Sequence, residues 1–187
     1  MIPRLRADFA QKKRALLASL EEPDTSVRSV KGLLLQLSRL ADHALQQLWA
    51  QAQMPPNMAL VATGGFGRGE LFPYSDVDVL LLLPPGATPE DDPVLKAKIE
   101  SFIGNCWDVG LEIGSSVRTV ADCMQEARKD ITVQTSLLEH RLVAGSRAKF
   151  ARFQKAYWEI MDPQAFFTAK TLEMGQRHTK FEDTPYA

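Results

Sequence analysis

Apolar side chains recur every three or four residues along the first third of the chain, which is the spacing of one face of an α-helix. The first such pattern covers residues 3–20, and the second runs over residues 26–54, where Pro55 and Pro56 interrupt it. We therefore predict two helices before the first strand. The leucines of the second helix do not keep a strict heptad, which favours core packing over a dimer seam.

The period then changes from helical to extended. Residues 58–63 form an apolar run of strand length that ends at two glycines, and residues 77–83 form another that ends at a Pro-Pro-Gly turn. Residues 111–117 form a third run with a mixed pattern. These runs predict a β-sheet of at least three strands.

Helical spacing returns over residues 94–107 and 148–161, and again after Asp162-Pro163 as far as about His178. These segments enclose the predicted strands on both sides in sequence. We therefore expect an α+β fold in which a small mixed sheet is flanked by N-terminal and C-terminal helices.

Two further helices are predicted from capping residues. Thr119 can cap a helix that runs to about Lys129, because Asp122 stands at its third helical position. Asp130 can cap another helix, which we expect to run to Val143.

Composition narrows the class of protein. The 187 residues carry 22 Lys and Arg against 23 Asp and Glu, and this near-zero net charge excludes a basic domain that wraps nucleic acid. No apolar run approaches the ~18–20 residues of a membrane span. The N-terminus has no signal-peptide pattern, and the only cysteines are Cys106 and Cys123. We expect a cytoplasmic protein whose partners are neither nucleic acid nor a membrane.

A cluster of glycines lies between the first two predicted strands, and its members are Gly64, Gly65, Gly67 and Gly69. Backbone without a Cβ can approach a ligand closely, which favours a phosphate cradle. The spacing matches neither the dinucleotide pattern GxGxxG nor the P-loop. By itself the cluster is more typical of a plain turn between strands than of a phosphate cradle.

Two carboxylates at the start of the second strand add a stronger signal. Asp76 and Asp78 stand two residues apart, so in an extended chain they project from the same face. Such a pair can bind one hard cation, and Mg²⁺ prefers oxygen ligands of this kind. The alternative is a turn cap at Asp76 and a solvated edge position at Asp78. The apolar run around Asp78 favours the metal site, because burying an unpartnered carboxylate is costly.

In the order GGFGRGE, SDVD and an apolar strand, these residues resemble the DNA polymerase beta-type nucleotidyltransferase superfamily. A narrower resemblance, to the bacterial PII uridylyltransferase/uridylyl-removing enzymes, is carried by GGFGRGELFPYSDVDVLLLL, WDVGLEIGSSVRTVADCM and QRHTKFEDTPYA. It implies the polymerase beta-type nucleotidyltransferase fold, with residues 57–145 as the core. Residues 1–56 and 146–187 are then flanking helical segments.

The resemblance also implies roles for individual residues. Gly64 and Gly65 would hold the triphosphate of a nucleotide, and Asp76 and Asp78 would bind Mg²⁺. A third carboxylate from a later strand completes such sites. Our choice for it is Glu112, because it interrupts an apolar strand.

Several of these roles have alternatives. Asp108 is the second candidate for the third carboxylate, and Glu112 could instead form an ion pair with Arg118. Arg68 is the better placed of two candidate phosphate contacts, the other being Arg118, since a guanidinium matches phosphate oxygens. Ser75 either contacts phosphate or caps the turn before the strand.

The reaction implied by the resemblance is Mg²⁺-dependent transfer of UMP from UTP to a tyrosine hydroxyl of the PII nitrogen-signalling protein, with release of pyrophosphate. The family also carries a UMP-removing hydrolase domain and sensing domains, so we expect this chain to be an N-terminal fragment. Two alternatives remain open: a nucleotidyltransferase with another acceptor, and a regulatory module that binds nucleotide without turnover.

Overall fold

The computed structural model describes residues 1–23 and 26–161, together with Thr171 and Met174. The helices of the described part are α1 (Ile2–Leu20), α2 (Val27–Ala52), α3 (Gly64–Gly67), α4 (Pro93–Val109), α5 (Val120–Lys129), α6 (Ile131–Ser136) and α7 (Arg147–Ile160). Its strands are β1 (Ala59–Thr63), β2 (Val77–Leu82), β3 (Ile113–Arg118) and β4 (His140–Gly145). A short 3-10 helix, Pro89–Asp91, precedes α4.

The strands form one mixed sheet in the order β3-β2-β1-β4. Strand β1 pairs antiparallel with both β2 and β4, whereas β2 and β3 run parallel. The expected α+β architecture with a small mixed sheet is confirmed. Within the described residues, no helix is both long and apolar enough to cross a membrane.

Helix starts follow the local chemistry of the sequence. The Ser26 hydroxyl accepts a hydrogen bond from the backbone N–H of Ser29, which satisfies a free donor at the first turn of α2. At α5, Thr119 and Asp122 form a reciprocal capping box. This confirms the cap predicted for that helix.

One predicted helix is wrong. The helix that starts after Asp130 ends at Ser136 and does not continue to Val143. Residues 140–145 form strand β4. The Ser136 hydroxyl donates to the Val133 carbonyl at 2.7 Å, a local bond typical of a helix end. The backbone groups of β4 pair with β1, a partner far away in sequence that local spacing does not reveal.

The core lies on both faces of the sheet. One face packs against α1, α2 and α4, and it includes Leu60 of β1 and Leu81 of β2. The other face packs mainly against α5 and α7, and it includes Val61 of β1. Because successive strand residues point to opposite faces, a strand covered on both sides is apolar throughout. This explains the continuous apolar runs of β1 and β2.

The predicted helix beyond Asp162-Pro163 lies outside the described residues, apart from Thr171 and Met174. The third strand starts at Ile113, two residues later than its apolar pattern suggests. Glu112 therefore precedes β3.

Candidate active site

A cleft of about 410 Å³ opens beside β2 and β3, with α6 on its far side. Its floor includes apolar residues of β2, and its rim is polar. The polar and glycine residues that line it are Thr63, Gly64, Asp78, Gly114, Ser115, Ser116, Arg118 and Ser136. The cleft thus gathers hydroxyls, one carboxylate and one guanidinium around two glycines.

The glycine cluster forms a compact turn directly after β1. It contains the four-residue helix α3, and its first residue, Gly64, has a φ of +60°, which only glycine adopts readily. The turn is closed by hydrogen bonds from Arg68 N–H to the Gly64 carbonyl at 3.1 Å and from Glu70 N–H to the Gly65 carbonyl at 2.9 Å. We call residues 64–69 the glycine turn.

The glycine turn lies against Asp78, one member of the predicted carboxylate pair. A Cβ placed on Gly64 would stand 3.4 Å from Asp78 Oδ2, so the backbone of the turn and this carboxylate are direct neighbours. Two sequence motifs that are separated by a loop are therefore brought to one point of the cleft.

Asp78 stands in an unfavourable environment for a negative charge. Partial burial raises the pKa of its carboxyl group, and the nearby charge of Asp76 raises it further. The side chain is exposed to the cleft, whereas its neighbours Val77 and Val79 are buried in the sheet. A cation bound between the two carboxylates would offset both effects.

Gly114 was not singled out from the sequence, and the structure places it beside Asp78. The two residues are in register on the parallel strands β2 and β3. A Cβ on Gly114 would come within 2.8 Å of Asp78 Oδ1, closer than real Cβ contacts allow. A lone glycine inside a strand pattern often marks such a close approach. This sequence feature could have identified Gly114 as a neighbour of the site.

Arg68 lies at the glycine turn. Its guanidinium Nη2 is 3.5 Å from a Cβ built on Gly65, and its Nε forms an ion pair of 3.5 Å with Glu70. Arg118, at the end of β3, lines the cleft itself. Of the two candidate phosphate contacts, Arg118 thus lines the cleft, whereas the Arg68 side chain lies near Gly65 and Glu70.

Ser75 and Glu112 line a second, smaller cavity of about 120 Å³, whose walls include Phe9, Tyr74 and Leu111. The backbone carbonyl of Glu112 accepts a hydrogen bond of 2.9 Å from Val77 N–H, which places this residue next to Asp76 along the sheet edge. Both residues thus lie beside the carboxylate pair, yet they line a different cavity from Asp78.

No ion pair joins Glu112 to Arg118 within the described ranges. Asp108, the other candidate for the third carboxylate, is exposed on α4. Over the same part of the chain, no three acidic, histidine or cysteine side chains are grouped as a ready metal site. The assignment of a third metal ligand stays a prediction.

The family model for the nucleotidyltransferase domain matches residues 44–136, from the second half of α2 to the end of α6. Residues 44–136 belong to the nucleotidyltransferase domain family. The glycine turn, Asp76, Asp78 and the polar residues of the cleft all fall within this nucleotidyltransferase domain.

Curated relatives of the whole chain carry a more specific name. The chain is 54% identical over 182 residues to a bifunctional uridylyltransferase/uridylyl-removing enzyme of Burkholderia lata. It is 55% identical over 183 residues to the enzyme of that name from Burkholderia vietnamiensis, and 54% identical to one from Burkholderia pseudomallei. These matches cover 97% of the chain, and the chain spans about 20% of each relative. The resemblance found in the sequence is confirmed.

Proposed function

We propose that this nucleotidyltransferase domain transfers UMP from UTP to a tyrosine hydroxyl of the PII signalling protein and releases pyrophosphate. The observation that supports the proposal is the contact between the glycine turn and Asp78, because in this proposal the turn holds phosphate and the carboxylate binds the metal. The choice of UTP is supported by the uridylyltransferase name of relatives 54% identical to this chain.

Asp78 in the cleft and the exposed Asp76, directly before β2, fit a divalent cation. Asp76 and Asp78 supply the oxygen donors that Mg²⁺ prefers, and their mutual repulsion is relieved by a positive charge between them. The missing Cβ at Gly114 leaves Asp78 Oδ1 unobstructed on the β3 side. When bound, Mg²⁺ would neutralise charge on the triphosphate and on the attacking oxygen. Glu112 is the third ligand we predict.

The remaining residues bind and orient the nucleotide. In this proposal the glycine turn supplies backbone N–H groups to phosphate oxygens, because its first residue leaves space next to Asp78. Arg118 and Arg68 add guanidinium donors from two sides. Ser116, on the same face of β3 as Gly114, can accept or donate a further hydrogen bond, whereas the Ser136 hydroxyl already donates to the Val133 carbonyl and can only accept one.

No side chain of the domain needs to act as a nucleophile. The tyrosine hydroxyl of the acceptor gives up its proton to solvent, its oxygen attacks the α-phosphorus in line, a new O–P bond forms, and the bond to the pyrophosphate oxygen breaks. The domain contributes alignment and charge stabilisation, which account for most catalysis in phosphoryl transfer. The second activity in the relatives' name is not part of this proposal.

The test is a calorimetric titration of UTP in the presence and absence of Mg²⁺. We expect Mg²⁺-dependent binding that is lost in an Asp76→Asn, Asp78→Asn double variant. An Asp91→Asn variant, changed in the exposed 3-10 helix, is the control and should bind like the wild type. ATP, CTP and GTP are the comparators, and we expect each to bind more weakly than UTP.

A transfer assay tests the acceptor. The chain is incubated with a PII protein, Mg²⁺ and UTP, and the acceptor is analysed by mass spectrometry for UMP on tyrosine. Equal UTP binding by the wild type and the double variant would show that the carboxylates are not the metal site. Binding with no transfer to PII would move the proposal to another acceptor.

A further inference from the structure

Arg141 connects three elements behind the glycine turn. It lies on β4, and its Nη1 donates a hydrogen bond to Oδ2 of Asp42 on α2. Its Nη2 donates to the backbone carbonyl of Phe66, inside the glycine turn, at 2.9 Å. The guanidinium carbon also lies 5.0 Å from the centroid of the Phe66 ring, within cation–π range.

The Asp42–Arg141 ion pair uses one carboxylate oxygen and one guanidinium nitrogen. Within the part of the chain that the structure describes, Oδ1 of Asp42 and Nε of Arg141 are buried without a hydrogen-bond partner. Burial raises the pKa of Asp42, although the hydrogen bond and charge of Arg141 oppose the shift. A partly buried pair of this kind is weak support for stability by itself.

Apart from the backbone hydrogen bonds that close it, the glycine turn has a composition that favours mobility. Four of its six residues are glycines, which lose more backbone freedom on ordering than any other residue. Thr63, which precedes α3, makes no side-chain cap. The hydrogen bond from the Arg141 guanidinium to the Phe66 carbonyl therefore limits the motion of the turn.

The segment before β4 supports the turn from the same side. A Cβ on Gly67 would lie 2.6 Å from the Glu139 carbonyl oxygen and 3.0 Å from that of Ala62. The turn is thus seated directly on the backbone beside Arg141. None of these contacts is part of the cleft lining, so Arg141 acts through the Phe66 backbone and not on a ligand.

We propose that Arg141, oriented by Asp42, is a positioning residue that holds the glycine turn in its phosphate-binding conformation. The role as a nucleotide cradle rests on the proposed function, whereas the restraint on the turn does not. The two parts are therefore tested by separate measurements.

The first measurement is hydrogen–deuterium exchange of the 187-residue chain, which needs no ligand. Arg141→Met retains an apolar stem over Phe66 and removes both hydrogen bonds. We expect exchange of the amides of residues 64–69 to rise about tenfold while exchange in β2 and α7 stays unchanged. Arg39→Met, at an exposed position of α2, is the matched control and should leave exchange unchanged.

Milder variants guard against loss of folding. Arg141→Lys keeps a positive charge but lacks the forked donors, and Asp42→Asn keeps an acceptor for Arg141. Both should give smaller increases confined to the glycine turn. Exchange equal to the wild type in all three variants, or faster exchange spread evenly over the chain, would overturn the positioning role.

The second measurement is the Kd of UTP with Mg²⁺. We expect Arg141→Met to raise this Kd about tenfold. Arg141 does not contact the nucleotide in this proposal, but its loss would displace the glycine turn that does. Faster exchange with an unchanged Kd would overturn the link between the turn and the nucleotide. If the wild type binds no nucleotide, the proposed function fails, and the exchange result still decides whether Arg141 restrains the turn.

Discussion

Gly114 and Asp78 lie side by side on parallel strands, and a Cβ on Gly114 would come within 2.8 Å of Asp78 Oδ1. The carboxylate therefore occupies the space that a side chain on β3 would fill. The position that directly faces Asp78 cannot supply a third acidic ligand without moving Asp78. This relationship makes Gly114 part of the site even though it has no functional group.

We expect Gly114→Ala to displace the Asp78 carboxylate and to weaken Mg²⁺-dependent UTP binding by about tenfold or more. The control is Gly104→Ala on α4, where a new Cβ meets nothing within 4 Å. That variant should keep nucleotide affinity and gain roughly 0.5–1 kcal/mol of stability. Calorimetric titration and thermal unfolding of both variants measure the two effects. Unchanged affinity in Gly114→Ala would show that Asp78 is free to move without loss.

Asp78→Asn should make the protein more stable at neutral pH while removing metal binding. The pKa of Asp78 is raised in the folded state, so its ionised form is less favourable there than in the unfolded chain. The destabilisation is complete above the folded pKa and disappears as the pH falls below the pKa of a free carboxyl group. We expect a gain of at most about 1 kcal/mol, because water screens the exposed side chain.

Thermal unfolding as a function of pH measures this gain. The difference between Asp78→Asn and the wild type should be largest near pH 7 and should shrink in acid. Asp91→Asn makes the same chemical change at an exposed position and is the matched control. A variant less stable than the wild type at neutral pH would contradict the burial argument.

Gly67→Ala should destabilise the fold, because its Cβ would stand 2.6 Å from the Glu139 carbonyl oxygen and 3.0 Å from the Ala62 oxygen. Both obstacles are backbone, which yields less readily than a side chain. We expect a loss of about 1–3 kcal/mol in the free energy of unfolding by denaturant. Gly32→Ala, in α2 with nothing within 4 Å of the new Cβ, is the matched control and should be stabilising. Equal effects of the two changes would argue against close packing at Gly67.

The third carboxylate can be assigned by a pair of variants. We expect Glu112→Gln to weaken Mg²⁺-dependent UTP binding about tenfold, because Glu112 lies next to the Asp76 end of β2. Asp108→Asn, on the exposed surface of α4, should have no effect. The reverse result would assign the third metal ligand to Asp108. If neither change has an effect, Asp76 and Asp78 are the carboxylate ligands of the proposed site and neither Glu112 nor Asp108 is one.

Much of the fold follows from local patterns. The two N-terminal helices, the strands β1 and β2, and the capping box of α5 are all visible in apolar spacing and in residues such as Thr119. Strand β4 was missed because residues 137–143 have no clear period of their own. Its extended form is selected by pairing with β1, a contact between distant parts of the chain.

The groups of the candidate site are visible in the amino-acid sequence: glycines that free the backbone, and two carboxylates two residues apart at the start of an apolar run. Which of these groups meet depends on the fold. The register of β2 against β3 puts Gly114 beside Asp78, and β4 brings Arg141 to the Phe66 carbonyl. Local spacing reports which face a residue occupies, whereas strand pairing over long sequence separations sets its neighbours.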